Sequence, residues 1–245
     1  MAALVAPERN LSRAGYFGPV TSTLDWCEAN YQFSYYIAEL ANSLSSLWHV
    51  AFAISLMLNA SRESLPLASN ISLIGFLLVG LGSFAFHMTL LYEWQMSDEI
   101  PMIIFASMNV WATYDVRPGS KGVQGGPLLF LIFYIYRNPV YHQTVFAALM
   151  LWMPYRILYL TRRSPYASRI SSDKVTVARS WYIKGVIVWL VAFAIWNLDN
   201  LFCDRITGWK VAVGWPAAFL LEGHSWWHFF TGVGTYYLFV AIQVL

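Results

Sequence analysis

Residues 224–243 read HSWWHFFTGVGTYYLFVAIQ, an uncharged run that opens on two histidines four positions apart. A helix crosses the hydrocarbon core of a bilayer with roughly 20 mostly apolar residues. Side chains four apart share one face of such a helix, so His224 and His228 point to the same side. A third histidine, His87, lies in another long apolar stretch, GLGSFAFHMTLLYEWQMSDEIPM (residues 80–102). Imidazoles are costly in hydrocarbon and mark functional positions there. Three of them at this spacing imply a metal site, and three histidines with an open fourth position form the pattern of catalytic zinc.

Composition supports the membrane reading. Of 245 residues, 58% are hydrophobic and 11% charged, against about 25% charged in a soluble domain. The net charge of +2, with no basic tail, gives no reason to expect a nucleic-acid partner, and no feature points to an obligate protein partner. Residues 1–24 lack an apolar core, so no cleaved signal peptide is expected and the first membrane helix serves as the signal. Long uncharged runs without strict alternation read as helices rather than barrel strands.

The expected fold is all-α: one integral membrane domain over 1–245, with an N-terminal segment (1–39) followed by a seven-helix transmembrane bundle (about 40–243). The spans fall at about 40–60, 67–91, 97–115, 124–141, 143–161, 180–199 and 220–243. Pro139 marks either a kink or the turn between the fourth and fifth. Seven spans put the termini on opposite sides. Arg62, Arg117, Lys121, Arg162, Arg163, Arg169, Lys174 and Arg179 then share one face. They outnumber Arg9, Arg13, Arg137, Arg205 and Lys210 on the N-terminal face, which favours a luminal N-terminus. Cys27 and Cys203 both fall on that face. A disulfide between them fits an oxidising lumen, and two free thiols is the alternative.

The same topology gathers the polar residues. His87 at the exit of span two, Asp98 at the entrance of span three, and His224 and His228 at the start of span seven lie near one membrane face. Ser83 stands one turn before His87. Asp98 is placed to act as a general base on a metal-activated water, and Ser83 to donate to an oxyanion. His49 and His142 have no evident partners and read as structural or interfacial. Trp226-Trp227 reads as an aromatic anchor, and Glu222 as an interfacial carboxylate. Before span one, Asp25, Glu28, Asn30 and Glu39 crowd hard oxygen ligands of the kind calcium prefers, without the spacing of an EF-hand. The plainer reading of that cluster is a solvated acidic loop.

At these residues the chain resembles a known family. Gly18-Pro19-Val-Thr-Ser-Thr-Leu-Asp25-Trp26-Cys27-Glu28-Ala-Asn30 with Tyr36-Ile-Ala-Glu39-Leu-Ala-Asn42, then Gly82-Ser83-Phe-Ala-Phe-His87 through Asp98-Glu99-Ile-Pro101, then His224-Ser-Trp-Trp-His228, are similar in order and spacing to the motifs of the alkaline ceramidases. The resemblance implies a seven-helix intramembrane amidase that cleaves ceramides in the endoplasmic reticulum or Golgi. It implies zinc on His87, His224 and His228, catalytic roles for Ser83 and Asp98, and calcium on Asp25, Trp26 (through its carbonyl), Glu28, Asn30 and Glu39. The rival expectation is a seven-helix lipid receptor or sensor with a structural zinc. A transporter is less favoured, because its site belongs at mid-membrane whereas these histidines gather near one face.

Overall fold

The computed structural model describes residues 15–65, 67–114, 139–163 and 171–244. The fold is all-α, with helices α1 (Leu40–Arg62), α2 (Leu67–Thr89), α3 (Tyr92–Ala112), α4 (Pro139–Arg162), α5 (Ser172–Leu201), α6 (Cys203–Val213) and α7 (Gly223–Val244). A short 3-10 turn, Ala217–Leu221, precedes α7. Among the described residues four helices are long and apolar enough to cross a membrane, in α1, α2, α4 and α5. With 21 and 22 residues, α3 and α7 are comparable in length and carry the acidic and histidine side chains of the site.

Neighbour packing runs α4, α3, α2, α1, α7, α5 around the bundle. A core of Ala53, Leu56, Ala60, Leu73, Phe76 and Phe239 joins α1, α2 and α7. On α5 the buried residues are Ala178, Gly185, Ala192 and Asp199, a narrow stripe of seven-residue period against α7. Its other faces expose Ile187, Leu190, Val191 and Phe193, an outward apolar surface suited to lipid.

The start of α1 is capped from a distance. Glu28 accepts hydrogen bonds from the backbone amides of Ala41 (2.7 Å) and Asn42 (2.9 Å), two donors that a helix leaves unsatisfied at its first turn. The far end of α1 closes in a Schellman pattern: Leu65 N–H donates to Ala60, Ser64 N–H to Ser61, and Ser64 takes φ +52°. The α2–α3 turn pivots on Leu90, buried at φ +52°. The N-terminal segment straps this turn. Thr21 and Ser22 amides donate to the Leu90 carbonyl (both 3.1 Å), and Ala38 and Glu39 amides to Met88 and His87 (2.9 and 3.0 Å). A disulfide joins Cys27 of the strap to Cys203 of α6.

One close approach sets α2 against α3. Pro101 lies inside α3 and has no N–H to bond the carbonyl four residues earlier, that of Ser97. That carbonyl lies against Gly82 of α2, where a Cβ would overlap it and crowd the Asp98 amide. The missing side chain and the missing N–H are complementary, and together they bring Asp98 beside Ser83. Gly82→Ala is expected to force α3 outward and cost about 1–3 kcal/mol. A lowered thermal midpoint of the purified protein is the readout, and an unchanged midpoint would refute the close approach.

Several boundaries differ from the sequence expectation. Most of the expected fourth span lies outside the described residues; its last positions, from Pro139, begin α4, where a proline suits the first helical turn. α3 starts at Tyr92, not near 97, because Glu99 is satisfied internally by Gln95 (2.9 Å) and Asp98 by Ser83 rather than by headgroups. α5 extends back to Ser172, capped by Ser171. The expected start of span seven is instead the 3-10 turn, and the stretch before it contains an unanticipated helix, α6.

Candidate metal centre

His87 sits in the last turn of α2, and His224 and His228 in the first two turns of α7. All three are buried, and one nitrogen from each lies within 4.8 Å of the others. Among the described residues this is the one such convergent set of His, Cys, Asp or Glu atoms.

Hydrogen bonds decide which nitrogens face inward. His87 Nδ1 lies 2.5 Å from Glu39 Oε2, which engages that nitrogen and leaves Nε2 to face the centre. His228 Nδ1 is 2.9 Å from Ser45 Oγ, whose own hydrogen goes to the Asn42 carbonyl (3.0 Å). Ser45 therefore accepts from Nδ1, and His228 Nε2 carries the lone pair. His224 stacks on the indole of Trp26, centroids 3.9 Å apart at 20°, and its Nδ1 is buried with no partner. Two lone pairs held inward and one orphaned nitrogen suit a soft-to-borderline cation with nitrogen ligands. The Glu39–His87 contact is the carboxylate–histidine arrangement that orients metal ligands.

Ser83 and Asp98 stand at the edge of this centre. Ser83 Oγ is 3.5 Å from His228 Nε2 and accepts from Ser46 Oγ (3.0 Å), and the Asp98 carboxylate interacts with the Ser83 hydroxyl. The sequence did not single out Ser45 or Ser46, although polar residues at the start of an apolar span carried a signal.

The acidic cluster divides its work. Glu28 caps α1, and Glu39 turns one oxygen to His87 and Asn42 (3.1 Å) and the other to the Trp26 amide (3.4 Å). Asn30 Nδ2 donates to Asp25 (3.2 Å), while its Oδ1 is buried with no partner. Burial, then the neighbouring Glu39 and Glu222, pushes the Glu28 carboxyl up to about 8. Burial and the charge of Asp25 hold Glu39 well above the usual carboxyl range. Glu222 is not an interfacial carboxylate: it is buried and paired with Lys210 at 2.7 Å. Lys210 also donates to the Cys27 carbonyl (3.1 Å).

His49 and His142 have structural partners that the sequence did not reveal, and the tryptophan pair divides. His49 is within 3.2 Å of Thr231 Oγ1 and 5.9 Å, centroid to centroid, from His228, one turn deeper than the triad. His142 donates from Nε2 to the Glu99 carbonyl (3.0 Å). Trp226 is partly exposed, as an anchor should be, and donates to the Leu220 carbonyl, whereas Trp227 packs on Trp189 and Trp196.

Fold and site define a helical membrane protein with a three-histidine centre, able to hold a metal, near one end of its bundle. The chain belongs to the ceramidase family, whose profile matches residues 18–245. It is 31% identical over 236 residues to alkaline ceramidase 3 of Mus musculus, covering 92% of this chain and 84% of that one. It is 31% identical to alkaline ceramidase YPC1 of Saccharomyces cerevisiae (94% and 78% covered). Identity to the alkaline ceramidase of Arabidopsis thaliana is 27% (91% and 83%).

Proposed function

We propose that this chain is an intramembrane zinc amidohydrolase that cleaves the N-acyl amide of ceramides to a sphingoid base and a free fatty acid. The observation that carries the reading is the convergence of three buried histidines, with the Ser83 hydroxyl 3.5 Å from His228 Nε2. Family membership supplies the substrate class. A purely structural zinc would want four protein ligands, and three converge among the described residues.

His87, His224 and His228 would hold the zinc, which when bound supplies a Lewis acid for the amide carbonyl and lowers the pKa of water. Asp98 takes the proton of the attacking water. The Ser83 hydroxyl donates to the developing oxyanion. Asp98 then returns its proton to the leaving amine as the C–N bond breaks. Glu39 and Ser45 hold the imidazoles in the tautomers that this chemistry needs. The substrate's apolar chains stay in the bilayer throughout. Sphingoid base release from a defined ceramide by the purified protein, stopped by chelator and restored by zinc, is the expected result. Chelator-resistant release would overturn the zinc mechanism.

Asp25, the Trp26 carbonyl, Glu28, Asn30 and Glu39 form the calcium site in this reading, supported by the orphaned Asn30 oxygen and the mutual repulsion of the carboxylates. Calcium must displace the proton that Glu28 keeps up to about pH 8. Calcium affinity is therefore expected to rise from about pH 6 towards 8 and level off above it. Without calcium the sign runs the other way. A folded value above the unfolded one stabilises fully below the ordinary carboxyl range, and that contribution is lost as pH rises through about 8. Calorimetric titration across this window is the check, and a flat profile would remove Glu28 from the ligand set. The Cys27–Cys203 bridge supports a luminal metal-site face in the endoplasmic reticulum or Golgi.

A further inference from the structure

Helix α6 is built inside out. Its two buried side chains are Cys203 and Lys210. Its outward residues include Trp209, Val211 and Val213, which are 58%, 80% and 57% exposed. The polar end, Asp204 and Arg205, is exposed as well. Lysine is normally found at the surface and valine within. The reversal is stable only if Lys210 has internal partners, which Glu222 and the Cys27 carbonyl provide, and if the exposed C-terminal half, with Trp209 and Val213 on one face and Val211 on another, meets something apolar. Among the described residues, none buries these three side chains. The segments joined to α6 expose apolar side chains as well: Leu201 and Phe202 directly before it, Leu220 of the 3-10 turn, and Trp226 at the start of α7.

We propose that α6 lies in the lipid leaflet beside the metal centre, with Trp209, Val211 and Val213 at the headgroup–acyl boundary and Asp204 and Arg205 towards water. Lipid is the occupant because the patch continues the outward apolar flank of α5, a helix of membrane-spanning length and hydropathy. Two braces connect its depth to the site. The disulfide holds Cys27, whose neighbour Trp26 stacks on His224. Lys210 holds Glu222, two residues before His224. α6 thus sets the level at which a bilayer lipid meets the histidines. The docking rests on the membrane-spanning bundle and not on the amidase chemistry.

The two cysteines of the chain are bonded to each other, so one added cysteine gives a unique label position. Full-length protein carrying Asp204→Cys, Val211→Cys or Val213→Cys would be spin-labelled, reconstituted in phosphatidylcholine nanodiscs, and probed with oxygen and a water-soluble nickel complex. Labels at 211 and 213 are expected to be more accessible to oxygen, and the label at 204 to nickel. Nickel dominance at all three positions overturns the docking. So does shielding of 211 and 213 from both probes, which would identify a second copy or another protein segment as the cover. In a separate arm, the Val211→Asp, Val213→Asp double variant should lose roughly fivefold in hydrolysis of long-chain ceramide in bilayers. It should keep its zinc content and its rate on short-chain ceramide in detergent; an unchanged bilayer rate contradicts the link to the site. If no variant or parent hydrolyses ceramide, the amidase reading fails while the accessibility result still stands.

Discussion

Replacing His228 with alanine is expected to abolish zinc binding and ceramide hydrolysis together. The side chain supplies one of three convergent nitrogens, and its Nε2 lies 3.5 Å from Ser83 Oγ. Zinc sites with four ligands bind with about 10–16 kcal/mol, so one ligand is worth roughly 3 kcal/mol, or a hundredfold or more in affinity. A two-histidine remnant would lose its metal on dilution, and the amide would then have no Lewis acid. Metal content after gel filtration and sphingoid base release are the paired readouts. Ser45→Ala is the informative companion. It keeps the triad but removes the acceptor that fixes the His228 tautomer, and should cost about 10- to 100-fold in zinc affinity. A His228→Ala protein that kept its zinc, or that hydrolysed ceramide without any, would sink the assignment.

Glu39→Ala is expected to damage two functions at once. Removing the carboxylate withdraws a calcium ligand in the proposed site. It also strands His87 Nδ1, Asn42 Nδ2 and the Trp26 amide, all bonded to it in a buried setting. Each buried donor left unmade costs about 1–3 kcal/mol, and loss of the carboxylate behind a metal-binding histidine costs about 10- to 100-fold in metal affinity. The variant should therefore need more calcium and more zinc for half-maximal activity. Were zinc affinity unchanged while the calcium requirement rose, Glu39 would serve calcium alone in the metal-loaded protein. The Glu39–His87 bond would then belong to the metal-free state.

The histidine centre was legible because a helix has a fixed period. Ser83 and His87, like His224 and His228, stand one turn apart, and counting spans brought the two helix ends to one face. Contacts between segments were not legible. Glu39 and His87 are 48 residues apart, and nothing in either neighbourhood announces the other. Asp98-Glu99 resembles a membrane boundary in sequence, yet Ser83 and Gln95 supply the partners that let α3 begin earlier. Glu222 looked interfacial because its partner, Lys210, sits in a helix of 11 residues whose mixed polarity reads as loop. Glu28 offered only its charge; its use as a remote cap for α1 depends on how the strap folds back.

The strap also orders events during synthesis. Cys27 waits for Cys203, Ser45 for His228, and the Cys27 carbonyl for Lys210, separations of 176, 183 and 183 residues. Chains emerge N-terminus first, so the carboxylates of the strap and His87 are inserted long before α7 arrives to complete their surroundings. Nascent protein passes through a stage in which His87 stands without His224 and His228, and Glu222 and Lys210 have yet to join the carboxylates of the strap. The three-histidine set is therefore complete only once α7 has been made and has packed against α1.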